Sequence, residues 1–338
     1  MVQATASTDV CGKVKLEATN PDDRVVDVSI ILVNYNTEAL LPECLGRLEK
    51  AIAALRAQVI VVDNASRDGS VKLLHDRYGQ HEIVANLVNV GFGRANNQVL
   101  GRVRGRYVLL LNVDAYVEPD ALTKTIAFMD AHPRCGVLGA RLVDVDGSLQ
   151  PSCRYFPTPW NVFLSRSGLS RWFKHVQAVD DLSWDHATER RCDWVPGCYY
   201  LMRRAVVDSL GLFDPRFFLY YEEVDHCRAV KAAGWEVLYY PGTTVIHVGG
   251  ESAKSVSHLS GAKQISELQT ESELLYFRKH HGGFGVWVGL ILTGVADALN
   301  FCKALLRRRS LPEAAGFAEF RAALRAFSRT SHGRMPTR

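Results

Sequence analysis

The eight cysteines of this 338-residue chain (Cys11, Cys44, Cys135, Cys153, Cys192, Cys198, Cys227 and Cys302) are scattered and include no C-x-x-C pair. That argues against a zinc cluster or a small disulfide scaffold and for buried thiols in a reducing cytoplasm. The net charge of +4 is too small to point to nucleic acid. The first residues lack an apolar run, so no secretory signal is expected, and residues 1–24 read as a loose leader. No internal repeat or low-complexity tract is found. No glycine-rich basic loop follows the first strand, where Val33-Asn34-Tyr35-Asn36 stands instead. Gly91-Phe92-Gly93-Arg94-Ala95-Asn96 begins like a dinucleotide fingerprint, but Asn96 occupies the place of the third glycine, and the motif falls in the third βα unit rather than the first. A nicotinamide site is therefore not expected.

What is present is a globular composition, 47% hydrophobic and 22% charged. The length suits one large domain with an appendage, or two domains. Apolar runs of strand type alternate with helical periods: Val25–Val33, then a helix to about Leu55, then Val59–Val62, then a helix to about Tyr78. A short strand near Glu82–Val84, a helix opened by Gly91 and the run Tyr107–Leu111 follow. This is the pattern of a parallel sheet covered by helices. Beyond it, a helix from Pro119 to about Ala131, a hairpin from Gly136 with a return strand Leu149–Phe156, and an irregular segment over 158–190 are expected. Trp194–Met202 reads as a strand, Glu222–Ala233 as a helix and Val237–Val248 as containing a strand.

Four groups of residues carry chemistry. Each early strand ends in polar residues: Asn34-Tyr35-Asn36, Asp63-Asn64 and Asn112-Val113-Asp114. In an open α/β sheet such ends converge on one crevice, suited to a nucleotide. If the strand continues through Asp114, Asn112 and Asp114 point the same way, a carboxylate beside an amide oxygen, which suits a hard divalent cation. The second group is the Gly91 turn, with Arg94 placed near a phosphate or the glycines making a plain turn. In the third, Tyr220-Tyr221-Glu222-Glu223-Val224-Asp225, three acids crowd the first turn of a helix after an aromatic stretch. They complement the helix dipole, or one of them has its pKa raised toward that of a working base. Helical spacing puts Glu222 and Asp225 on one face and Glu223 elsewhere. The fourth is His247, at the end of an apolar strand, either a structural residue or a metal ligand.

Taken in order, Val28-Ser-Ile-Ile-Leu-Val-Asn34-Tyr35-Asn36, Val61-Val-Asp63-Asn64-Ala-Ser-Arg-Asp68-Gly69-Ser70, Asn89-Val-Gly91-Phe92-Gly93, Leu110-Leu-Asn112-Val-Asp114, Gly197–Met202, Phe218–Asp225, His247 and Tyr276–Gly282 resemble the inverting GT-A glycosyltransferases of family 2, in particular the bacterial rhamnosyltransferase-like branch. The resemblance runs from about Val28 to Gly282. It implies an α/β GT-A domain over 25–283, a Rossmann-like mixed sheet flanked by helices, with a C-terminal helical appendage over 284–338. It implies Asn34, Asn36, Asp63, Asn64, Arg94, Asn96 and Asn112 around a nucleoside diphosphate sugar, dTDP- or UDP-linked. Asp114 would be the metal-binding acid, with Mg2+ or Mn2+ as cofactor and His247 as a second ligand. Asn112 departs from the family's first acid at that motif. Glu223 aligns with the catalytic base, with Asp225 as runner-up. The acceptor would be a glycan or a lipid-linked sugar in cell-surface polysaccharide synthesis.

From Lys303 onward eight arginines face only Glu313 and Glu319. The apolar run Phe284–Ala296 falls short of the roughly 20 residues that span a bilayer. With Trp287 and Arg307-Arg308-Arg309 it suits a helix lying on the inner face of the cell membrane. The other reading packs it on the catalytic domain or on a second copy in a homodimer. A sugar-nucleotide pyrophosphorylase and a non-catalytic sugar-nucleotide or glycan-binding module are the alternative functions.

Overall fold

The computed structural model describes residues 26–173, 175–181, 184–249, 261–306 and 317–338. The expected leader and the basic run Arg307–Arg309 lie outside the described residues. The sheet runs β3-β2-β1-β4-β9-β6-β10-β5. Here β1 is Val28–Asn34, β2 Ala57–Asp63, β3 Glu82–Ala85, β4 Tyr107–Asn112, β5 Ala115–Val117, β6 Cys135–Val143, β9 Tyr199–Arg203 and β10 Glu236–His247. Two-residue strands β7 (Leu149–Gln150) and β8 (Arg190–Arg191) pair with β6 and β10. Strands β3, β2, β1 and β4 run parallel, β9 lies antiparallel to both β4 and β6, and β10 runs parallel to β6 but antiparallel to β5. The result is the mixed sheet implied by the resemblance.

The apolar runs explain the layers. Along β1 every residue is buried, and alternate side chains enter different cores: Val28, Ile30 and Leu32 one, Ile31 and Val33 the other. Helix α1 (Leu41–Ile52) seats Leu41, Leu45 and Leu48 in the first core, beside Leu122, Ile126 and Met129 of α4 (Ala121–Ala131). Fully burying such a side chain is worth about 2 kcal/mol. The other face is covered by α7 (Glu222–Ala232), through Val224, Cys227 and Val230, and by the long helix Gly261–Leu306.

Three expectations are revised. Strand β4 ends at Asn112, and Asp114 lies in the turn before β5, so strand alternation does not relate the two. The strand expected from Trp194 begins only at Tyr199, because residues 192–198 cross from the β10 edge and contain Pro196. The return strand expected over Leu149–Phe156 is cut to two residues; beyond them the backbone leaves β6, and Arg154 instead bridges Asp180 and Trp194. The C-terminal apolar run is the second part of the long helix, which bends where Gly282 adopts φ 67°. Leu274, Tyr276 and Phe277 before the bend share a core with Val286 and Leu290 after it. The stretch Glu267–Leu306 contains an 18-residue window apolar enough to cross a bilayer by length and composition, with mean hydropathy 1.5, and 33% of that window is buried against the protein. The seven cysteines among the described residues are unpaired, six of them buried.

Candidate active site

The carboxyl ends of β1, β2 and β4 open onto a cavity of about 660 Å³, within the size range of small-molecule sites, ~300–1,000 Å³. Asn64, Asn112, Asp114, Glu222, Glu223 and His247 all line it. Residues from the first strand ends and from the far half of the chain thus meet in one space.

Asp114 and His247 are brought together by backbone. Strand β10 pairs antiparallel with β5, putting His247 opposite Ala115, and the Val248 N–H donates to the Asp114 carbonyl at 3.0 Å. His247 Nε2 then lies 3.6 Å from Asp114 Oδ1, beyond ordinary hydrogen-bond length. The other ring nitrogen, Nδ1, is 2.9 Å from Gln150 Oε1, and Gln150 Nε2 donates to the His247 carbonyl at 2.7 Å. If Nδ1 carries the proton, Gln150 fixes the tautomer and turns the Nε2 lone pair toward the carboxylate. Burial lowers the His247 pKa against the opposing pull of Asp114, which favours the neutral imidazole a metal requires. A carboxylate, a neutral imidazole and the neighbouring Asn112 amide fit a divalent cation such as Mg2+ or Mn2+. Among the described residues no group of three or more His, Cys, Asp or Glu side chains is placed to hold a metal.

The remaining residues expected around the donor divide. Asn34 and Asp63 are fully buried and bonded to each other, Asn34 Nδ2 donating to Asp63 Oδ2 at 2.7 Å. Asn34 also donates to Ser66 Oγ and accepts from Thr37, while Asp63 accepts from the Ser66 N–H. They brace the two strand ends and do not line the cavity. Asn36, with φ 51°, accepts the Arg67 N–H and braces the same corner. Asn64 joins the loops, donating to Asn89 and accepting from Asn86 and from the Val90 N–H. Asn96 is buried and donates to the Phe92 carbonyl. Arg94 donates to the carbonyls of Pro215 and Arg338 and does not itself line the cavity. Gly91, at φ 88°, has a packing reason instead: a Cβ there would stand 2.6 Å from the Phe218 carbonyl oxygen. The Phe92 N–H donates to that same oxygen at 2.8 Å. The glycine motif therefore seats the loop that leads to the acids.

That loop is strained. Tyr220 and Tyr221 adopt φ 69° and 70° in succession, a left-handed conformation that costs of order 1–3 kcal/mol for each such residue. It turns the start of α7 so that Glu222 and Glu223 both line the cavity, contrary to the facing expected from helical spacing. Asp225 turns away and accepts from Lys279 Nζ and His280 Nε2, each at 2.7 Å. Glu222 Oε2 and Glu223 Oε2 are buried without a hydrogen-bond partner. Burial, reinforced by the neighbouring Glu223, pushes the Glu222 pKa well above the usual carboxylate range. Burial also raises that of Glu223, with Arg154 opposing. Tyr220 rises to about 12 through burial and the charges of Glu222, Glu223 and Asp114.

Sequence reasoning missed Arg154, Gln150 and Arg338. Arg154 lines the cavity, pairs with Asp180 at 2.8 Å and lies over the Trp194 ring. Its signal was a lone cation inside the expected return strand. Arg338 lines the cavity beside Phe218, 5.4 Å from its ring centroid. Nothing in the local sequence around Gln150 or Arg338 marks either residue.

Known proteins resemble this chain in sequence and in fold. The sequence model described as glycosyl transferase family 2 matches residues 29–180. The N-acetylglucosaminyl-diphospho-decaprenol L-rhamnosyltransferase of Mycobacterium tuberculosis is 27% identical over 303 residues, covering 83% of this chain and 93% of that protein. The poly(ribitol-phosphate) beta-N-acetylglucosaminyltransferase TarS of Staphylococcus aureus is 27% identical over 143 residues, covering 41% of this chain and 25% of that protein. The mannosyltransferase PcManGT from Pyrobaculum calidifontis, solved with GDP-Man and Mn2+, shares the fold at TM-score 0.52 and 15% identity, with 89% of this chain and 86% of that one covered. With the GT-A sheet in place and residues 29–180 matched, the chain is similar to the family 2 glycosyltransferases.

Proposed function

We propose that this glycosyltransferase moves a deoxysugar, L-rhamnose in first place, from a dTDP- or UDP-linked donor to a lipid-linked acceptor, with inversion and with a divalent metal. The observation that carries this reading is one cavity lined by the Asp114–His247 pair and by Glu223, whose Oε2 is buried without a hydrogen-bond partner. The rhamnosyl donor and the lipid-linked acceptor are taken from the name of the mycobacterial relative.

Asp114 and His247 would hold Mg2+ or Mn2+, with Asn112 alongside and the remaining ligands drawn from phosphate oxygens and water. Such an ion supplies charge neutralisation on the departing diphosphate. The chain's own residues perform the rest. Glu223 accepts the proton of the acceptor hydroxyl as that oxygen attacks the anomeric carbon. The bond from this carbon to the diphosphate oxygen breaks, its electron pair leaves with the diphosphate, and the configuration inverts. Burial gives Glu223 the raised proton affinity this role uses. Burial raises both members of the pair, and the neighbouring Glu223 raises Glu222 as well, so the two carboxyls together hold a proton to higher pH than isolated ones would. Asp225, bonded to Lys279 and His280, is left with a structural role. Two carboxylate oxygens buried without partners would be a costly feature of an inert binding module.

Membrane attachment belongs to the same reading. Phe284, Trp287 and Ile291 are 82%, 57% and 61% exposed along one side of the long helix, and Arg321, Arg325 and Arg329 are exposed on the adjacent terminal helix Ala318–Arg329. Apolar and cationic groups together suit an anionic bilayer surface on the cytoplasmic side. The test is nucleoside diphosphate release from dTDP-rhamnose and a panel of UDP-sugars, with EDTA and then with Mn2+ restored. Turnover lost to the chelator and regained with the metal is expected. Full turnover in EDTA would remove the metal from the account.

A further inference from the structure

The long helix reaches the turn that carries the base by several independent bonds. Ser272 Oγ donates to the Leu219 carbonyl at 2.8 Å. The Tyr221 hydroxyl donates to Glu273 Oε2 at 2.8 Å, and the same oxygen accepts from Arg166 at 3.0 Å. The Tyr276 ring packs on the Tyr221 ring, with centroids 5.3 Å apart. One turn further along, Lys279 and His280 bind Asp225. Ser272 and Glu273 are themselves buried, at 3% and 6% exposure, so these bonds are shielded from water. Every one of them lands within four residues of Glu223.

Two successive tyrosines in the left-handed region do not hold that conformation on their own account, because their Cβ atoms disfavour it. Surrounding contacts have to over-determine it. The Tyr221 side chain, immediately before the paired glutamates, carries the contact best placed to do so. We propose that Glu273, acting through the Tyr221 hydroxyl, is a positioning residue that locks the Tyr220–Tyr221 turn and thereby aims Glu223 at the acceptor hydroxyl. The proposal rests on the assignment of Glu223 as base. It gives the long helix a part in turnover that is separate from any contact with a membrane.

Tyr221→Phe removes the hydroxyl but keeps the ring on Tyr276 and leaves Glu273 paired with Arg166. In the full chain this variant is expected to lower kcat for dTDP-rhamnose turnover about tenfold, the size of one lost hydrogen bond to a charged acceptor. The donor KM, and dTDP binding measured by titration calorimetry, stay at wild-type values. Glu273→Gln keeps an acceptor oxygen for the hydroxyl and recovers most of the kcat that Glu273→Ala loses. An unchanged kcat in Tyr221→Phe, or a loss of dTDP affinity equal to the loss of kcat, overturns the proposal. If Glu273→Ala fails to fold, Tyr221→Phe alone decides. Glu223→Gln separates the two levels: if it remains active the base assignment falls, whereas if it is inactive and Tyr221→Phe is fully active only the positioning role falls.

Discussion

The two regions that meet at the cavity are built in opposite ways. At the ends of β1 and β2, polar groups are satisfied among themselves: Asn34, Asp63, Ser66 and Thr37 form one closed set. At the start of α7, two carboxylate oxygens are buried without partners, and the backbone before them is strained. The first arrangement makes a rigid floor that costs nothing further when a donor arrives. Under the proposed function, the second holds groups in a high-energy state that turnover would use, with contacts from a distant helix to keep them there. A donor site calls for shape, whereas an acid–base site calls for unsatisfied chemistry.

That contrast can be broken at its largest point first. Asp114→Asn is expected to reduce turnover on the order of a thousandfold, as loss of a major electrostatic group at a reacting centre does. Chelator sensitivity should disappear with it, and a variant still inhibited by EDTA in the wild-type manner would move the metal elsewhere. Gln150→Ala probes the support of the same centre. It should weaken Mn2+ affinity about 10–100-fold while leaving the fold intact, as read by metal titration in the presence of dTDP. An unaltered Mn2+ affinity would reduce Gln150 to packing.

The floor responds in stability rather than in chemistry. Asn34→Ala strips Asp63 and Thr37 of a buried partner and should cost about 2 kcal/mol in urea unfolding. If it left stability unchanged and abolished donor binding instead, Asn34 would be a donor contact. The smallest effect is expected at Glu222. Its folded pKa is raised, so the native state holds more protons than the unfolded chain once pH exceeds the ordinary value of 4.5. Its stabilising contribution is present below that value and is lost as pH rises toward the folded pKa. Glu222→Gln should therefore raise Tm by about 2 °C near pH 8 and lose this advantage in acid. A shift independent of pH would contradict the buried, protonated Glu222.

The same contrast explains what could be read from the chain. The alternating βα pattern and the polar strand ends are local signals, so β1, β2, β4 and the residues Asn34, Asp63, Asn64 and Asn112 were legible. Which of them would face the cavity was not, because a buried Asn–Asp bond between two strands depends on their register. Asp114 lines the cavity although β4 stops short of it, since its place is set by β5 and β10 rather than by alternation. The facing of Glu222, Glu223 and Asp225 misled because ideal helical spacing assumes a regular start, and here two left-handed tyrosines set the entry. The tethers Tyr221–Glu273 and Asp225–His280 join residues more than fifty positions apart, and no local pattern announces them. Arg94 attracted attention through its glycine neighbours, whose spacing in fact serves the Phe218 contact.

The division of labour within the cavity is the central claim, and titration of dTDP and Mn2+ into Glu223→Gln, beside a turnover assay, tests it most directly. Nucleotide and metal should bind as in the wild type while turnover falls by about 10²–10⁴. Wild-type turnover, or loss of nucleotide binding in step with turnover, would contradict it.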